Sequence, residues 1–437
     1  MKTIRVFMFE QTHFRRTPSK VISCLLFFIA CLYSIYNGFD IQHSQEHIID
    51  RIQTEQAEEI DNVLTWFANG EKGPKDRDWV DIHDPYWALR YTPTYTIKKP
   101  SILLPLGIGQ TEQYGYYKEI SFWSTTYDND MVEEIANPER LLQGNIDFSF
   151  LIIYLLPLLL VILTYNIGGL ERDKQFEKLI TIQYGSIRIW LGTRFAFYVT
   201  LLLFAIVSCV VGVALINNGF YLLFAELGSL LLLAIGYTLF FAILFFFVLI
   251  RSSGSSASAF QMISIWLLLC VVIPGTVHQY ASIQVPVHYM TDYLDTNRKE
   301  TYATYALSSD VLLDKLRTVY PEITKTKHGK EDSKEDKIIR RSIGAIINEM
   351  NKDAVAHIEK RNEVKNKIIR SSYWYNPVSF AQNQWNTYTY SDYYSFQKYR
   401  MEVQQTIDTK IKLLVFEIWN QKTVDREIFE QYIQALK

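Results

Sequence analysis

Five apolar runs constrain this 437-residue chain more than any other feature of its sequence. A membrane span needs about 20 mostly apolar residues to cross roughly 30 Å of hydrocarbon, and each run approaches or exceeds that length. The mean hydropathy of the whole chain is still near zero, because densely charged stretches separate the runs. The sequence therefore predicts an all-α polytopic membrane protein with large water-exposed parts. The predicted spans are residues 21–39, 148–167, 189–216, 220–250 and 259–275.

Lysine and arginine residues near the span ends predict the orientation. Positive residues accumulate on the cytoplasmic side of membrane proteins, and here they fall in residues 1–20, 168–188 and 251–258. These three segments lie on one side if the spans alternate in direction. We therefore expect a multi-pass protein of the bacterial cytoplasmic (inner) membrane with its N-terminus in the cytoplasm. The residues on which this rests are Lys2, Arg5, Arg15, Arg16, Lys20, Arg172, Lys174, Lys178, Arg188 and Arg251, together with Arg194 near the start of the third predicted span.

Residues 40–147 and 276–437 are then predicted to form two extracytoplasmic domains. The first is expected to be mixed α/β, with an opening helix that ends at Gly70 and short strands after it. The second is expected to be mainly helical, with one long helix around residues 338–358 and another from about Tyr393 to Trp419 that pair as an α-hairpin.

Charge differs between these two regions. Residues 38–147 hold 20 acidic and 9 basic side chains, whereas residues 276–437 hold 24 basic and 21 acidic ones. An acidic, tyrosine-rich surface attracts a cationic cargo or a basic partner, but a plain solvated surface explains the same composition and is favoured. Five spans also leave the C-terminus outside, so either the chain ends there or a sixth span follows Lys437.

No motif for catalysis or nucleotide binding is present. The sequence has no G-x-x-x-x-G-K-[ST] loop, so ATP binding through that motif is not expected. The cysteines lie inside the apolar runs, which argues against a disulfide framework or a zinc site. The net charge of −2 gives no reason to expect nucleic-acid binding. We predict a protein that is not itself an enzyme. The cysteines are Cys24, Cys31, Cys209 and Cys270.

Two groups of residues have spacings that metal sites sometimes use. His43 and His47 are four residues apart, but no third ligand follows. Four aspartates lie close together, but the Gly-bent loop and bidentate Glu of a calcium site are missing. We therefore predict no metal and no cofactor in this chain. The aspartates are Asp76, Asp78, Asp81 and Asp84.

Three residues within the apolar runs are weak candidates for a translocation path or gate. Glu226 is a carboxylate in an otherwise apolar run, and such charges are usually functional when they lie deep in the membrane. It is only six residues from the outer start of its span, which favours an interfacial position. Pro157 and Pro274 free backbone groups that can line a path, although membrane helices often tolerate proline.

Residues Gly144–Ile180 resemble the permease subunits of ABC-2-type transporters. The likeness is to a bacterial branch with a large external domain after the first span, related to permeases linked with multicopper-enzyme maturation. The family's cytoplasmic segment usually reads E-R-x-x-G-T-L, and here Gln175–Phe176–Glu177 replaces its Gly-Thr. Further similarity lies at Gly236–Phe247, Ser252–Pro274 and Tyr375–Trp385. The matching residues are Gly144, Asp147, Pro157, Leu158, Glu171 and Arg172.

The resemblance implies a permease driven by a separate ABC ATPase subunit, which would bind ATP and Mg²⁺. The expected contact is a short cytoplasmic coupling helix within residues 168–188, with apolar side chains in a groove of the ATPase and charged ones fixing register. An amphipathic helix at Arg5–Arg16, with Phe7, Met8 and Phe14 towards lipid, is expected beside it. The coupling residues are Glu171, Arg172, Asp173, Lys174, Phe176, Leu179 and Ile180.

The resemblance also implies a second copy of this permease, or a related permease, within the lipid bilayer, and six spans in all. Substrate and direction of transport stay open. Two other functions compete with transport. One is mechanotransmission, in which the external domains move a periplasmic partner and nothing crosses the bilayer. The other is a membrane receptor or scaffold without an ATPase.

Overall fold

The computed structural model describes residues 2–127, 146–286, 295–330 and 335–436. The chain is mainly helical, and its strands β1 (Tyr95–Ile97) and β2 (Tyr117–Glu119) form one short antiparallel pair. Short 3₁₀ turns cover Leu104–Leu106 and Pro321–Lys325. The helices are α1 (Lys2–Arg15), α2 (Pro18–Asn69), α3 (Pro85–Arg90), α4 (Phe148–Thr164), α5 (Gly169–Asp173), α6 (Glu177–Tyr184), α7 (Ile187–Ile216), α8 (Gly219–Leu222), α9 (Phe224–Arg251), α10 (Ser255–Gln284), α11 (Asp295–Tyr305), α12 (Ser309–Val319), α13 (Lys327–Lys330), α14 (Asp336–Arg341), α15 (Ile343–Ser371), α16 (Pro377–Tyr388), α17 (Tyr393–Trp419) and α18 (Arg426–Ala435).

Among the described residues, four helices are long and apolar enough to cross a membrane: α2, α7, α9 and α10. This confirms the predicted all-α polytopic class. The second predicted span, residues 148–167, corresponds to the shorter apolar helix α4. Two helices extend past their predicted spans: α2 continues beyond residue 39, and α10 begins at Ser255 and continues beyond Pro274 to Gln284.

Helix α4 lies at the centre of the bundle. It packs against each of α2, α7, α9 and α10, and most of its side chains are buried in the bundle core. Its first turns widen into a π-helix over Leu151–Leu155, directly before Leu156 and Pro157. Helix α10 repeats the arrangement, with a π-helix over Leu268–Val272 directly before Ile273 and Pro274.

Side chains from neighbouring helices bind the carbonyls next to Pro157. Proline has no N–H, so a carbonyl about four residues earlier loses its helical donor. The Tyr237 hydroxyl of α9 donates to the carbonyl of Ile153 at 2.6 Å. The indole N–H of Trp266 in α10 donates to the carbonyl of Tyr154 at 2.8 Å. Side chains of two other helices therefore stabilise the distorted part of α4. Inside a membrane, backbone groups that lose their helical partner need such replacement partners.

The described chain has two ends along the bundle axis. The base is the set of helix ends nearest Lys20, Arg172 and Arg251. The head consists of the described residues among 40–127 and 285–436. Helix α2 joins them without a break over 52 residues, or about 78 Å at 1.5 Å per residue. It ends at Gly70, whose φ of 68° is the left-handed conformation that a helix C-terminus favours.

The two predicted external domains share hydrophobic clusters in the head. Ile120 packs with residues of α12, α15 and α17. Val63, Leu89 and Phe122 pack with residues of α17 and α18. Helices α15 and α17 also pack against each other. The segments before α4 and after α10 thus form a common core, and among the described residues of 40–147 the strands are the pair β1–β2.

Lys410 joins the two segments inside the head. Lys410 is 3% exposed, and its ammonium group donates to the carbonyls of Thr92 and Ile120 and to the hydroxyl of Thr94, at 2.8–3.0 Å. Burial lowers the pKa of Lys410 to about 8, although the Glu119 carboxylate opposes that shift. All three ammonium hydrogens have acceptors. The buried cation therefore links the two segments through hydrogen bonds, in place of apolar contacts, at this point of the core.

We expect Lys410→Met to destabilise the head. Methionine keeps the apolar stem but leaves the carbonyls of Thr92 and Ile120 buried without their donor. An unsatisfied buried polar group costs about 1–3 kcal/mol, so the thermal midpoint of the purified protein should fall. Lys412→Met is the matched control, because Lys412 is exposed on the same helix.

The pH dependence provides a second test of Lys410. The pKa is lowered in the folded chain, so between about pH 8 and pH 10.4 the unfolded chain binds more protons. The contribution of Lys410 to stability therefore rises with pH in that window. The midpoint difference between wild type and Lys410→Met should grow from pH 8 to pH 10, and a constant difference would contradict this assignment.

Candidate functional site

The segment between α4 and α7 forms two short helices, α5 and α6, at the base. The single coupling helix predicted within residues 168–188 is interrupted at Gln175, which has a φ of 61°. The N–H of Phe176 bonds to the carbonyl of Glu171 at 2.7 Å, and the N–H of Gln175 bonds to that of Arg172 at 2.9 Å. This pair of bonds is a Schellman motif, which normally places glycine at the left-handed position. Gln175 occupies the position where the E-R-x-x-G-T-L pattern has glycine.

Glu171 belongs to a buried ionic network. Its carboxylate accepts from the guanidinium of Arg194 in α7 at 2.7 Å, and Arg194 also pairs with Glu10 of α1. Glu10 accepts from the Tyr198 hydroxyl at 2.6 Å, and Lys20 of α2 donates to the same hydroxyl at 3.0 Å. Two carboxylates and two cations balance in formal charge, as buried ionic groups require. The network connects α1, α2, α5 and α7.

Arg172 caps the C-terminus of α9. Its guanidinium donates to the carbonyl of Leu249 at 2.8 Å, to that of Ile250 at 3.3 Å and to that of Ser252. These carbonyls lack helical donors, and a cation at a helix C-terminus is also favoured by the helix dipole. The Nε of Arg172 pairs with Glu177 of α6 at 2.6 Å. One side chain therefore holds both short helices to the end of α9.

Asp173 lies at the N-terminus of α10. The Ser255 hydroxyl donates to its carboxylate at 3.1 Å, and a negative charge is favoured at that end of a helix. Gly169 makes this approach possible. A Cβ at Gly169 would lie 2.8 Å from the Cα of Ser255, so a larger residue would force the segments apart. Gly168 has a φ of 74°, which also favours glycine.

Helix α6 has a different environment, because none of its residues is buried. Phe176 and Leu179 are each 53% exposed, and Ile182 is 82% exposed. Ile180 is half-buried and Lys174 is exposed. The side chains of Phe176, Leu179 and Ile182, which we call the docking face, lie three residues apart and so share one side of a helical segment. It is an apolar surface held to the bundle through α5.

The three candidates for a path or gate lie in separate places. Pro157 and Pro274 are buried in α4 and α10. Glu226 is in the first turn of α9, where its carboxylate accepts from the Tyr390 hydroxyl at 2.9 Å. Tyr390 belongs to the head, so Glu226 lies at the head end of its helix. The described structure does not bring these three residues together.

The N-terminal helix is amphipathic, but its apolar side is divided. Phe7 and Phe14 pack against Phe197 of α7, with ring centroids 5.2 and 5.9 Å apart. The expectation that both rings face lipid is therefore wrong. Met8 and Phe9 are exposed instead. The cause is Glu10, which bonds to α7 and fixes the rotation of α1.

The sequence patterns considered for metals have other contacts. His43 lies within α2, where its ring stacks on Phe39. Asp84 caps α3 by accepting from the N–H of Tyr86 at 3.0 Å, and it pairs with Arg341 at 2.6 Å. Within the described ranges, no three His, Cys, Asp or Glu side chains are grouped as metal ligands.

Sequence reasoning missed Glu10, Arg194 and Ile182 as site residues. Arg194 was counted only as a positive charge near a span end, yet it lies two turns inside an apolar helix. Glu10 is the only acidic residue among the first twenty, which was an available signal that it pairs internally. Ile182 continues the spacing of Phe176 and Leu179 and could have been included by extending that pattern.

Comparison with known proteins returned no relative: no family model, no curated protein and no solved structure matches the chain.

The conformation of Gln175 provides a prediction. A non-glycine residue in the left-handed region costs roughly 1–2 kcal/mol, so Gln175→Gly should stabilise the α5–α6 junction. We expect slower hydrogen exchange at the N–H groups of position 175 and Phe176, measured by mass spectrometry on the intact protein. Lys174→Gly is the control, since it removes a side chain without relieving any positive φ. Faster exchange in Gln175→Gly would contradict the assigned motif.

Proposed function

We propose that this chain is the membrane-spanning permease subunit of an ATP-binding cassette transporter, and that it moves a substrate using ATP hydrolysed by a separate subunit. The observation that carries the proposal is the docking face. The exposed apolar side chains of Phe176, Leu179 and Ile182 lie on α6 and on the residue directly before it, at the end of the bundle where Lys and Arg concentrate, and no residue of α6 is buried. By the positive-inside rule that end is cytoplasmic.

The connection between the docking face and the bundle supports a role in force transmission. A partner that moves α6 pulls on Glu177, which pairs with Arg172 at the end of α9. Asp173 transmits the same displacement to α10, and Glu171 transmits it to α7. Packed helices move as rigid bodies, so a small shift at α6 reaches three apolar helices. In this proposal Glu171, Arg172 and Asp173 make contacts within the chain, in place of the charged contacts to an ATPase that the sequence predicts.

The partners of the proposal are an ABC ATPase and a second copy of this permease or a related one, within a bacterial inner membrane. ATP and Mg²⁺ would be bound by the ATPase. A second candidate function, mechanotransmission, is favoured by the continuity of α2 from base to head. In an ATP-bound complex, a continuous cavity or lateral opening between two permeases favours transport. A closed interface with a displaced head favours mechanotransmission.

Binding of the ATPase tests the docking face. We expect Phe176→Ala with Leu179→Ala to reduce co-purification of the proposed ABC ATPase partner by about tenfold or more, since two exposed apolar anchors carry the contact. The fold should survive, because neither side chain is buried. Trp374→Ala with Met401→Ala is the control, as both are exposed apolar residues of the head. Equal ATPase recovery in both double variants would exclude α6 as the docking site and favour a receptor or scaffold.

A variant of Arg172 distinguishes binding of the ATPase from stimulation of its ATP hydrolysis. Arg172→Lys keeps the charge, but an ammonium group lacks the planar fork that reaches Glu177 and the carbonyls of α9 together. We expect this variant to bind the ATPase and to lose most of the permease-dependent stimulation of ATP hydrolysis. Lys174→Arg, at an exposed neighbouring position, should retain both. Full stimulation in Arg172→Lys would contradict transmission through α9.

A further inference from the structure

A cavity of about 400 Å³ opens in the head. Its walls come from α2, from the last residue of α3 and the loop after it, from β2 with the residues that follow it, and from α17. Small-molecule sites typically enclose about 300–1,000 Å³, so this volume suits a small organic ligand. Four aromatic side chains dominate the lining: Trp66, Tyr91, Phe122 and Trp123.

The aromatic lining is ordered by contacts between the elements. Trp66 of α2 and Tyr91 meet edge to face, with ring centroids 5.6 Å apart and planes at 88°. Trp123 is 42% exposed and lies next to Phe122, which is buried. Aromatic faces carry negative quadrupole charge and attract cations, and Trp does so most strongly.

The charged groups around the cavity favour a cation as well. Glu59 and Glu119 line it, and neither carboxylate has an ion-pair partner among the described residues. Arg90 also lines the cavity. Its guanidinium lies over the ring of Trp87, 5.6 Å from the ring centroid, and donates to the Tyr86 hydroxyl at 3.4 Å, and neither Trp87 nor Tyr86 lines the cavity. Lys410 contributes one positive charge, but its three hydrogens are bound to Thr92, Thr94 and Ile120 as described above. The lining therefore offers a cation two carboxylates that no other side chain neutralises by direct pairing.

Tyr95, which is paired with Glu119 in the β1–β2 ladder, lies in the electrostatic field of the same carboxylates. Burial, together with the carboxylates of Glu119, Glu59 and Glu55, raises the pKa of Tyr95 to about 12. Three carboxylates close enough to act on one phenol repel one another, and a bound cation would relieve that repulsion.

We propose that this cavity binds an organic ammonium cation with an apolar or aromatic substituent. The ammonium group lies between Glu59 and Glu119, and the substituent packs against Trp66, Tyr91 and Trp123. This site goes beyond the proposed function and does not depend on an ATPase. Because Glu59 and Trp66 belong to α2, the ligand contacts the helix that continues from the head to the base.

The test uses the full chain in lipid nanodiscs and benzyltrimethylammonium as the probe, with heat of binding measured by titration calorimetry. We expect saturable binding at one site per chain. Glu59→Gln with Glu119→Gln should weaken binding by about tenfold or more, which corresponds to 1.4 kcal/mol. Trp66→Leu should weaken it as well. Glu58→Gln is the matched control, because Glu58 is exposed on the same helix and does not line the cavity.

A second probe addresses the sign of the charge. Benzenesulfonate has a similar ring and the opposite charge, and it should bind at least about tenfold more weakly than benzyltrimethylammonium. The proposal is overturned by equal affinity of the two probes or by unchanged affinity in the Glu59→Gln, Glu119→Gln variant. It is also overturned if wild type shows no saturable binding. Thermal midpoints of the unliganded variants show that each has folded.

Discussion

The position of the docking face depends on three consecutive charged side chains that each bind a different apolar helix. Glu171 pairs with Arg194 of α7, Arg172 caps α9, and Asp173 accepts from Ser255 of α10. Each contact joins a charge to an opposite charge or to the helix end whose dipole it complements. Together they fix α5 against the base, and α6 is left with an unburied apolar surface.

The interior of the bundle shows the same use of polar contacts between helices. Tyr237 and Trp266 bind the carbonyls of Ile153 and Tyr154, at the widened part of α4. Because α4 contacts all four long helices, these bonds relate α9 and α10 through a common centre. Helix α2 continues without a break from the base to the head. In the head, Lys410 joins the segments that precede α4 and follow α10. A displacement at the base therefore has a continuous route to the head.

Much of the helical architecture could be predicted, because apolar runs and helix-ending glycines act locally. Tyr393–Trp419 and the end of α2 at Gly70 are examples. The continuation of α2 and α10 beyond their spans was missed, since polarity marks where a membrane ends but not where a helix ends. The contacts of Glu171, Arg172 and Asp173 with α7, α9 and α10 could not be predicted, because those partners are 23, 77 and 82 residues away in sequence. The exposed side chains of α6 were predictable because their spacing is local.

We propose that the docking face contacts an ABC ATPase. Photo-crosslinking tests this contact. Benzoylphenylalanine replaces Leu179 in one sample and the exposed head residue Trp374 in another, in membranes that contain the proposed ATPase partner. This proposal predicts a crosslink to the ATPase from position 179, identified by mass spectrometry, and none from position 374. Crosslinks from position 179 to lipid only, with the ATPase present at equal abundance, would contradict it.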